Sequence, residues 1–279
     1  MREPGFVKLG LGISTRWRAA LRDLRRARAR ARGGNPGREG VERFAHEEGR
    51  PPRDAAVQFT PGRIADAFWS HEGPPVSKWL HYLEIYERYF ERFAGREIGV
   101  LEIGVSNGGS LDLWRRFFGP QAVIFGVDVN PECARFDGVS GQVRIGSQDD
   151  AGFLGRVVDE IGRLDVVIDD GSHVMGHVRV SFEALFPRME RGGVYLIEDM
   201  HTSYWHGWDG GLRRPGTAVE TAKRMVDDLH QPYHERAPFS PLSADVGGIH
   251  FHDSIIVFDK GGFGPPRHAD VGGVRELGL

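Results

Sequence analysis

The last apolar runs of the chain, GGIHFH at residues 247–252 and SIIVFDKG at residues 254–261, are separated only by Asp253. A parallel pair of strands needs a crossover of a dozen or more residues, so two strands this close pair antiparallel as a hairpin. Upstream, the rhythm differs. From residue 98 short apolar runs alternate with helical stretches: IGVLEIG, then GSLDLWRRFFG, AVIFGVD, a short helix near Pro131, QVRIG, DAGFLGRVVDEIG, LDVVIDD, a helix after Ser172, and GVYLIED. Strands separated by helices imply right-handed crossovers and a parallel sheet covered on both faces. The fold class is therefore α/β and doubly wound, with a mostly parallel seven-stranded sheet closed by an antiparallel hairpin.

Outside this region the chain reads as two further parts. Residues 16–32, RWRAALRDLRRARARAR, carry eight arginines against one aspartate, with Trp17, Leu21 and Leu24 at helical spacing. A solvated basic arm, or one that docks on a neighbouring subunit, is expected, with phosphate or anionic lipid as the rival partner. Residues 33–62 are rich in Gly, Pro and charge and read as linker. The division is thus a basic arm and linker over 1–62 and a larger domain over 63–279. In the latter VSKWLHYLEIYERYFERFAG places Trp79, Leu80, Leu83, Tyr86, Phe90 and Phe93 at helical spacing, with Gly95 as a stop. An amphipathic helix is expected from about Thr217 to Leu229.

The 279 residues are 40% hydrophobic and 27% charged, with one cysteine, Cys133. This composition fits a globular protein of a reducing compartment and excludes a disulfide framework. No apolar run approaches the roughly 18 to 20 residues that span a bilayer, so a cytoplasmic protein is expected.

The turn EIGVSNGGS, residues 102–110, leaves the first strand and opens a helix, offering Glu102, Gly104, Asn107, Gly109 and Ser110 to a ligand. Its glycines do not form G-x-G-x-x-G, and the acidic Glu102 suits a cationic ligand better than a pyrophosphate. Asp128, ending the second strand, is placed to accept the hydroxyls of a ribose. GSQDD, residues 146–150, presents Ser147, Gln148 and Asp149 to an adenine amino group, with a helix cap as the other reading of Asp149. A nucleoside with a positively charged amino-acid tail, S-adenosylmethionine, meets these demands. Five parallel strands followed by a hairpin also match the methyltransferase version of the architecture better than the dehydrogenase version.

The fourth and fifth strands end on Asp170 and on Glu198 and Asp199. Neighbouring strands lie about 4.8 Å apart, so these carboxylates converge, and three of them cannot all stay ionised without a cation. A divalent metal, Mg²⁺ before Mn²⁺ or Ca²⁺, is expected on Asp170, Glu198 and Asp199. His173, three residues after Asp170, is expected near the first turn of the following helix, where the dipole keeps its imidazole neutral and ready to accept a proton. His177 and His201 are the comparison and the weaker rival. Tyr204, Trp205 and Trp208 offer flat faces to a glycoside or form a satellite core.

The motifs VLEIGVSNGGSLDLW, FGVDVN, VVIDDGSH, GGVYLIEDMHTSYW and IHFHDSIIVFDKG resemble those of the metal-dependent sugar O-methyltransferases of the mycinamicin 2''-O-methyltransferase type, and those of the related methylmannose polysaccharide methyltransferases. The resemblance covers roughly residues 76 to 262. It implies a class I S-adenosylmethionine methyltransferase fold, Mg²⁺ on Asp170, Glu198 and Asp199, His173 as general base and a sugar or glycoside substrate. The leading motif departs from the family's in having Val76 and Ser77 before Lys78, so no role for Lys78, His81 or Tyr82 follows. A homo-oligomer is expected. The rival readings are a Mg²⁺-dependent catechol-type O-methyltransferase and a nucleic-acid-binding protein using the arginine arm. The second of these lacks a recognisable RNA-binding motif.

Overall fold

The computed structural model describes residues 62–262, 267–269 and 271–272. The arginine arm and its linker up to residue 61 lie outside the described residues. Among the described residues six α-helices and seven strands follow in order: α1 (Arg63–Trp69), α2 (Leu80–Phe90), β1 (Gly99–Ile103), α3 (Gly109–Phe118), β2 (Val123–Asp128), β3 (Gln142–Ile145), α4 (Ala151–Ile161), β4 (Val166–Asp169), α5 (Met175–Leu185), β5 (Val194–Ile197), α6 (Ala218–Leu229), β6 (Val246–His252) and β7 (Ile255–Lys260). The short helix expected near Pro131 is a 3₁₀ helix over Pro131–Phe136.

All seven strands form one sheet in the order β3-β2-β1-β4-β5-β7-β6. The first five are parallel, and β7 pairs antiparallel with both β5 and β6. The hairpin expected from the short spacing of the last two strands is therefore present. β1, β4 and β5 are buried along their whole length, which accounts for their near-continuous apolar sequence.

Two cores lie on opposite faces of the sheet. On one, Val100, Ile124, Ile168 and Leu196 meet Tyr86, Phe90, Trp114 and Phe118 from α2 and α3. On the other, Leu101, Val127, Val167 and Ile197 meet Leu154, Phe182 and Met225 from α4, α5 and α6. Caps set the helix ends. The Asp150 side chain accepts from the Phe153 amide and starts α4, while Thr217 accepts from Glu220 and starts α6. Asp165 accepts from the Gly99 amide at 2.9 Å and is gripped by Arg163, which aligns β1 with β4 at their entrance. That alignment carries through to the exit, where Ile103 faces Asp169 and Asp169 faces Ile197.

The second core is held by aromatic packing: Phe186 stacks on Phe182 with ring centres 4.8 Å apart and meets Phe258 at 6.2 Å. Phe186→Ala empties a site that is 0% exposed. It should cost about 3–5 kcal/mol in urea unfolding. A loss under about 1 kcal/mol would show that the second core repacks freely.

Candidate active site

A cavity of about 650 Å³ opens where β1, β2, β3 and β4 end. Gly104, Asn107, Gly109, Ser110, Asp128, Ser147 and Gln148 line it, together with Asp170, His173, His177 and the strap of residues 75–78. Two glycines are sterically required. Gly104 has φ +100°, and a Cβ there would stand 2.1 Å from the Asp170 carbonyl oxygen; a Cβ on Gly109 would stand 2.3 Å from the Pro74 oxygen of the strap.

The Asp128 carboxylate, expected to meet a ribose, is oriented by backbone. Asp128 Oδ2 accepts from the Ser106 amide at 2.9 Å and Oδ1 from the Asn130 amide at 2.8 Å, leaving each oxygen a further lone pair. Gln148 is tied down on both ends. Its amide nitrogen donates to Asp169 Oδ1 at 3.1 Å, and its Oε1 accepts from the Ser172 amide at 2.6 Å.

Glu102 and Asp149 do not line the cavity. Glu102 is wholly buried beneath the turn and accepts from Ser110 Oγ and Trp114 Nε1 at 2.7 and 2.8 Å. Asp149 is exposed, 3.7 Å from His177 Nε2, and the helix cap is its neighbour Asp150.

Acidic side chains crowd at the exit of β4 and β5. Asp170 Oδ1 and Asp199 Oδ2 lie 3.8 and 3.5 Å from His173 Nε2. One ligand atom from each of these three residues falls within 4.8 Å of the others, a spacing that fits a single divalent ion. The other oxygens are held from α2 and the strap. Tyr82 donates to Asp199 Oδ1 at 2.9 Å, and Lys78 Nζ donates to Asp170 Oδ2 at 2.6 Å. Glu198, the third expected carboxylate, is buried with both oxygens on Lys78 at 2.9 and 2.8 Å.

The sequence reading gave no role to Lys78 or Tyr82, and the structure puts both in contact with the acids. α5 starts at Met175, so His173 lies two residues before the helix, in a left-handed conformation with φ +56°. Asp199 and Ser106 are left-handed as well, at φ +55° and +50°. Non-glycine residues pay for such backbone and gather at functional sites.

One ammonium cannot neutralise three carboxylates. Burial opposes the charge on Lys78, yet Asp170, Glu198 and Glu102 outweigh it and hold its proton more tightly than in an ordinary lysine. Burial and the nearby Asp170 lift Glu198 well above the usual carboxylate range. Burial pushes Glu102 up to about 7. His201 is lowered by burial, and its Nδ1 is engaged with Ser254 Oγ.

Beside the acids stands an aromatic wall. His201 meets Trp205 at 4.5 Å and Trp79 at 6.2 Å between ring centres, and Trp205 meets Trp208 at 5.4 Å. Tyr204 is exposed and both tryptophans are half-buried, so this loop is a surface rather than a satellite core. No helix among the described residues is long and apolar enough to cross a membrane.

No protein-family model matches the chain. It is 38% identical over 219 residues, 74% of its length, to the 8-demethyl-8-(2-methoxy-alpha-L-rhamnosyl)-tetracenomycin-C 3'-O-methyltransferase of Streptomyces olivaceus, covering 56% of that protein. It is 37% identical over 205 residues to the mycinamicin VI 2''-O-methyltransferase of Micromonospora griseorubida, covering 67% of this chain and 50% of that one. Among solved structures it is similar to the MycE methyltransferase of the mycinamycin pathway in complex with Mg, SAH and mycinamycin VI. That match has a TM-score of 0.65 and 33% identity over 72% of this chain and 54% of that one. The chain thus spans about half the length of the curated relatives it matches.

Because the unfolded chain releases the Glu102 proton near 4.5 and the folded protein holds it to about 7, the folded state carries the extra proton in that window. Stability should therefore fall as pH rises through it, by up to about 1.4 kcal/mol per pH unit. Glu102→Gln should remove that slope in urea unfolding measured from pH 5 to pH 7.5. Parallel pH profiles for the two proteins would mean that Glu102 is ionised throughout.

Proposed function

Because the chain is a homologue of the sugar O-methyltransferases and carries a class I S-adenosylmethionine methyltransferase fold, we propose that the protein is a divalent-metal-dependent O-methyltransferase acting on a sugar hydroxyl of a glycoside. The observation that carries this reading is the meeting of Asp170, His173 and Asp199 at the edge of a cavity built from the strand exits. Relatives named for rhamnosyl tetracenomycins and for mycinamicin VI point to a natural-product glycoside as the acceptor class.

In this reading Asp128, oriented by two backbone amides, accepts the ribose hydroxyls, and Gly104 and Gly109 let the chain close on the cofactor. S-adenosylmethionine would supply the methyl group, and Asp170, Glu198 and Asp199 would hold Mg²⁺, whose chemistry there would be to make the acceptor hydroxyl more acidic. His173 Nε2 takes the proton from that hydroxyl. The carboxylates beside it at 3.5 and 3.8 Å stabilise the imidazolium that results. Trp205 and Trp208 give the sugar a flat wall. His201 is the poorer base, since burial lowers its affinity for a proton.

The test is methyl transfer from S-adenosylmethionine to rhamnosyl-tetracenomycin and macrolide glycoside acceptors. Activity should vanish in excess EDTA and return with Mg²⁺; full activity in the chelator would end the metal reading. His173→Ala should lower kcat by roughly 10² to 10⁴ while calorimetric affinities for Mg²⁺ and S-adenosylhomocysteine stay near wild type. A matching loss of Mg²⁺ affinity would make His173 a ligand rather than the base. Asp128→Ala should weaken S-adenosylhomocysteine at least about tenfold, roughly 1.4 kcal/mol.

A further inference from the structure

Lys78 lies where a cation bridging Asp170 and Glu198 would lie. Its Nζ stands 2.6 Å from Asp170 Oδ2 and 2.8 and 2.9 Å from the two Glu198 oxygens. The niche is built for a positive charge. The Tyr86 and Trp114 rings each face Nζ at 5.8 Å, and the Lys78 side chain is 2% exposed where that of Asp170 is 24%. An ammonium and a divalent ion cannot both occupy the space between these carboxylates.

We propose that Lys78 is the built-in occupant of the cation centre, pairing with Asp170 and Glu198 in the metal-free protein and leaving Glu198 when a divalent ion binds. The inference rests on the metal-dependent reading above and concerns how the site is held before it is loaded. Lys78 belongs to the strap that precedes α2 rather than to a helix or strand. The same strap supplies Pro75, Val76 and Ser77 to the cavity wall and touches the start of α3, where a Cβ on Gly109 would meet the Pro74 and Pro75 oxygens. A Lys78 that moves therefore moves one wall of the cofactor cavity, and the two binding events are linked through the strap.

Without Lys78, the buried Glu198 and Glu102 and the half-buried Asp170 are left with no counter-charge, so the protein loses stability and attracts a cation more strongly. Titration of Mn²⁺ and of Mg²⁺ into the purified, cofactor-free chain reads the competition directly. Lys78→Met should tighten the metal at least tenfold, and its lowered thermal unfolding temperature in EDTA should recover when Mg²⁺ is added. Lys78→Arg, which keeps the charge, should stay near or below wild-type affinity. Adding Glu198→Gln to Lys78→Met should cancel the gain. If Lys78→Met does not fold in EDTA it can be purified with Mg²⁺ present and titrated after exchange, with Lys78→Gln as the second neutral variant. Equal or weaker metal binding in both folded neutral variants would overturn the proposal while leaving the metal-dependent reading standing, and so would a gain in Lys78→Arg as large as in Lys78→Met. Binding of neither metal to any of the proteins would remove both.

Discussion

Carboxylates delivered to one place by two neighbouring strands repel each other, and the surroundings of β4 and β5 are arranged around that repulsion. The in-register pairing of Asp169 with Ile197 puts Asp170 and Glu198 at the same level immediately beyond the sheet. Lys78 neutralises one side of the cluster, Tyr82 donates to Asp199, and His173 stands over the gap between Asp170 and Asp199. On Asp170 and Asp199 the donor takes one carboxylate oxygen and leaves the other toward His173, while both Glu198 oxygens are on Lys78. The acids are thus fixed in direction as well as in position, which a metal site needs from the residues behind its ligands.

The sheet and the acids were legible in the sequence because their signals are local. A hairpin too short for a crossover, apolar runs ending on Asp128, Asp170 and Glu198, and a Thr217 cap followed by an amphipathic helix each occupy a few adjacent residues. Lys78 and Tyr82 carry no such signal. Their partners lie 92, 120 and 117 positions away, and only the folded sheet brings them together. Glu102 was read as facing a ligand because it adjoins a glycine turn. Its side chain instead points beneath the turn, into the core formed with α3, where Ser110 and Trp114 supply the donors. Asp149 and Asp150 are adjacent acids, and which of them caps α4 depended on a one-residue boundary that composition does not resolve.

The placement of His173 shows the same limit from another side. Sequence spacing puts it near the first turn of a helix, and the chain holds it two residues before that helix with φ +56°, which the spacing does not show. A left-handed histidine costs on the order of 1–3 kcal/mol, which the surrounding contacts must offset. Those contacts are visible. The Ser172 amide is fixed by Gln148 Oε1, the Asp170 amide donates to the Ile103 oxygen, and Gly104 lacks the Cβ that would drive the Asp170 carbonyl away. The strain at His173 is therefore offset by the anchors of its own loop.

Beneath those anchors, Asp169 joins the two halves of the site. It is 1% exposed and accepts from Ser181 at 2.5 Å, from Tyr195 at 2.9 Å and from Gln148 at 3.1 Å. Burial raises its affinity for a proton, and the three donors offset that penalty in part. Gln148 has only one orientation that serves this network, with its nitrogen toward Asp169 and its oxygen toward Ser172. The residue expected at the adenine end of the cavity is thereby locked to the loop that carries His173. A shift of Gln148 would be felt at His173 through one amide hydrogen bond. Asp169, by fixing Gln148, ties the cavity wall at the end of β3 to the loop that carries His173.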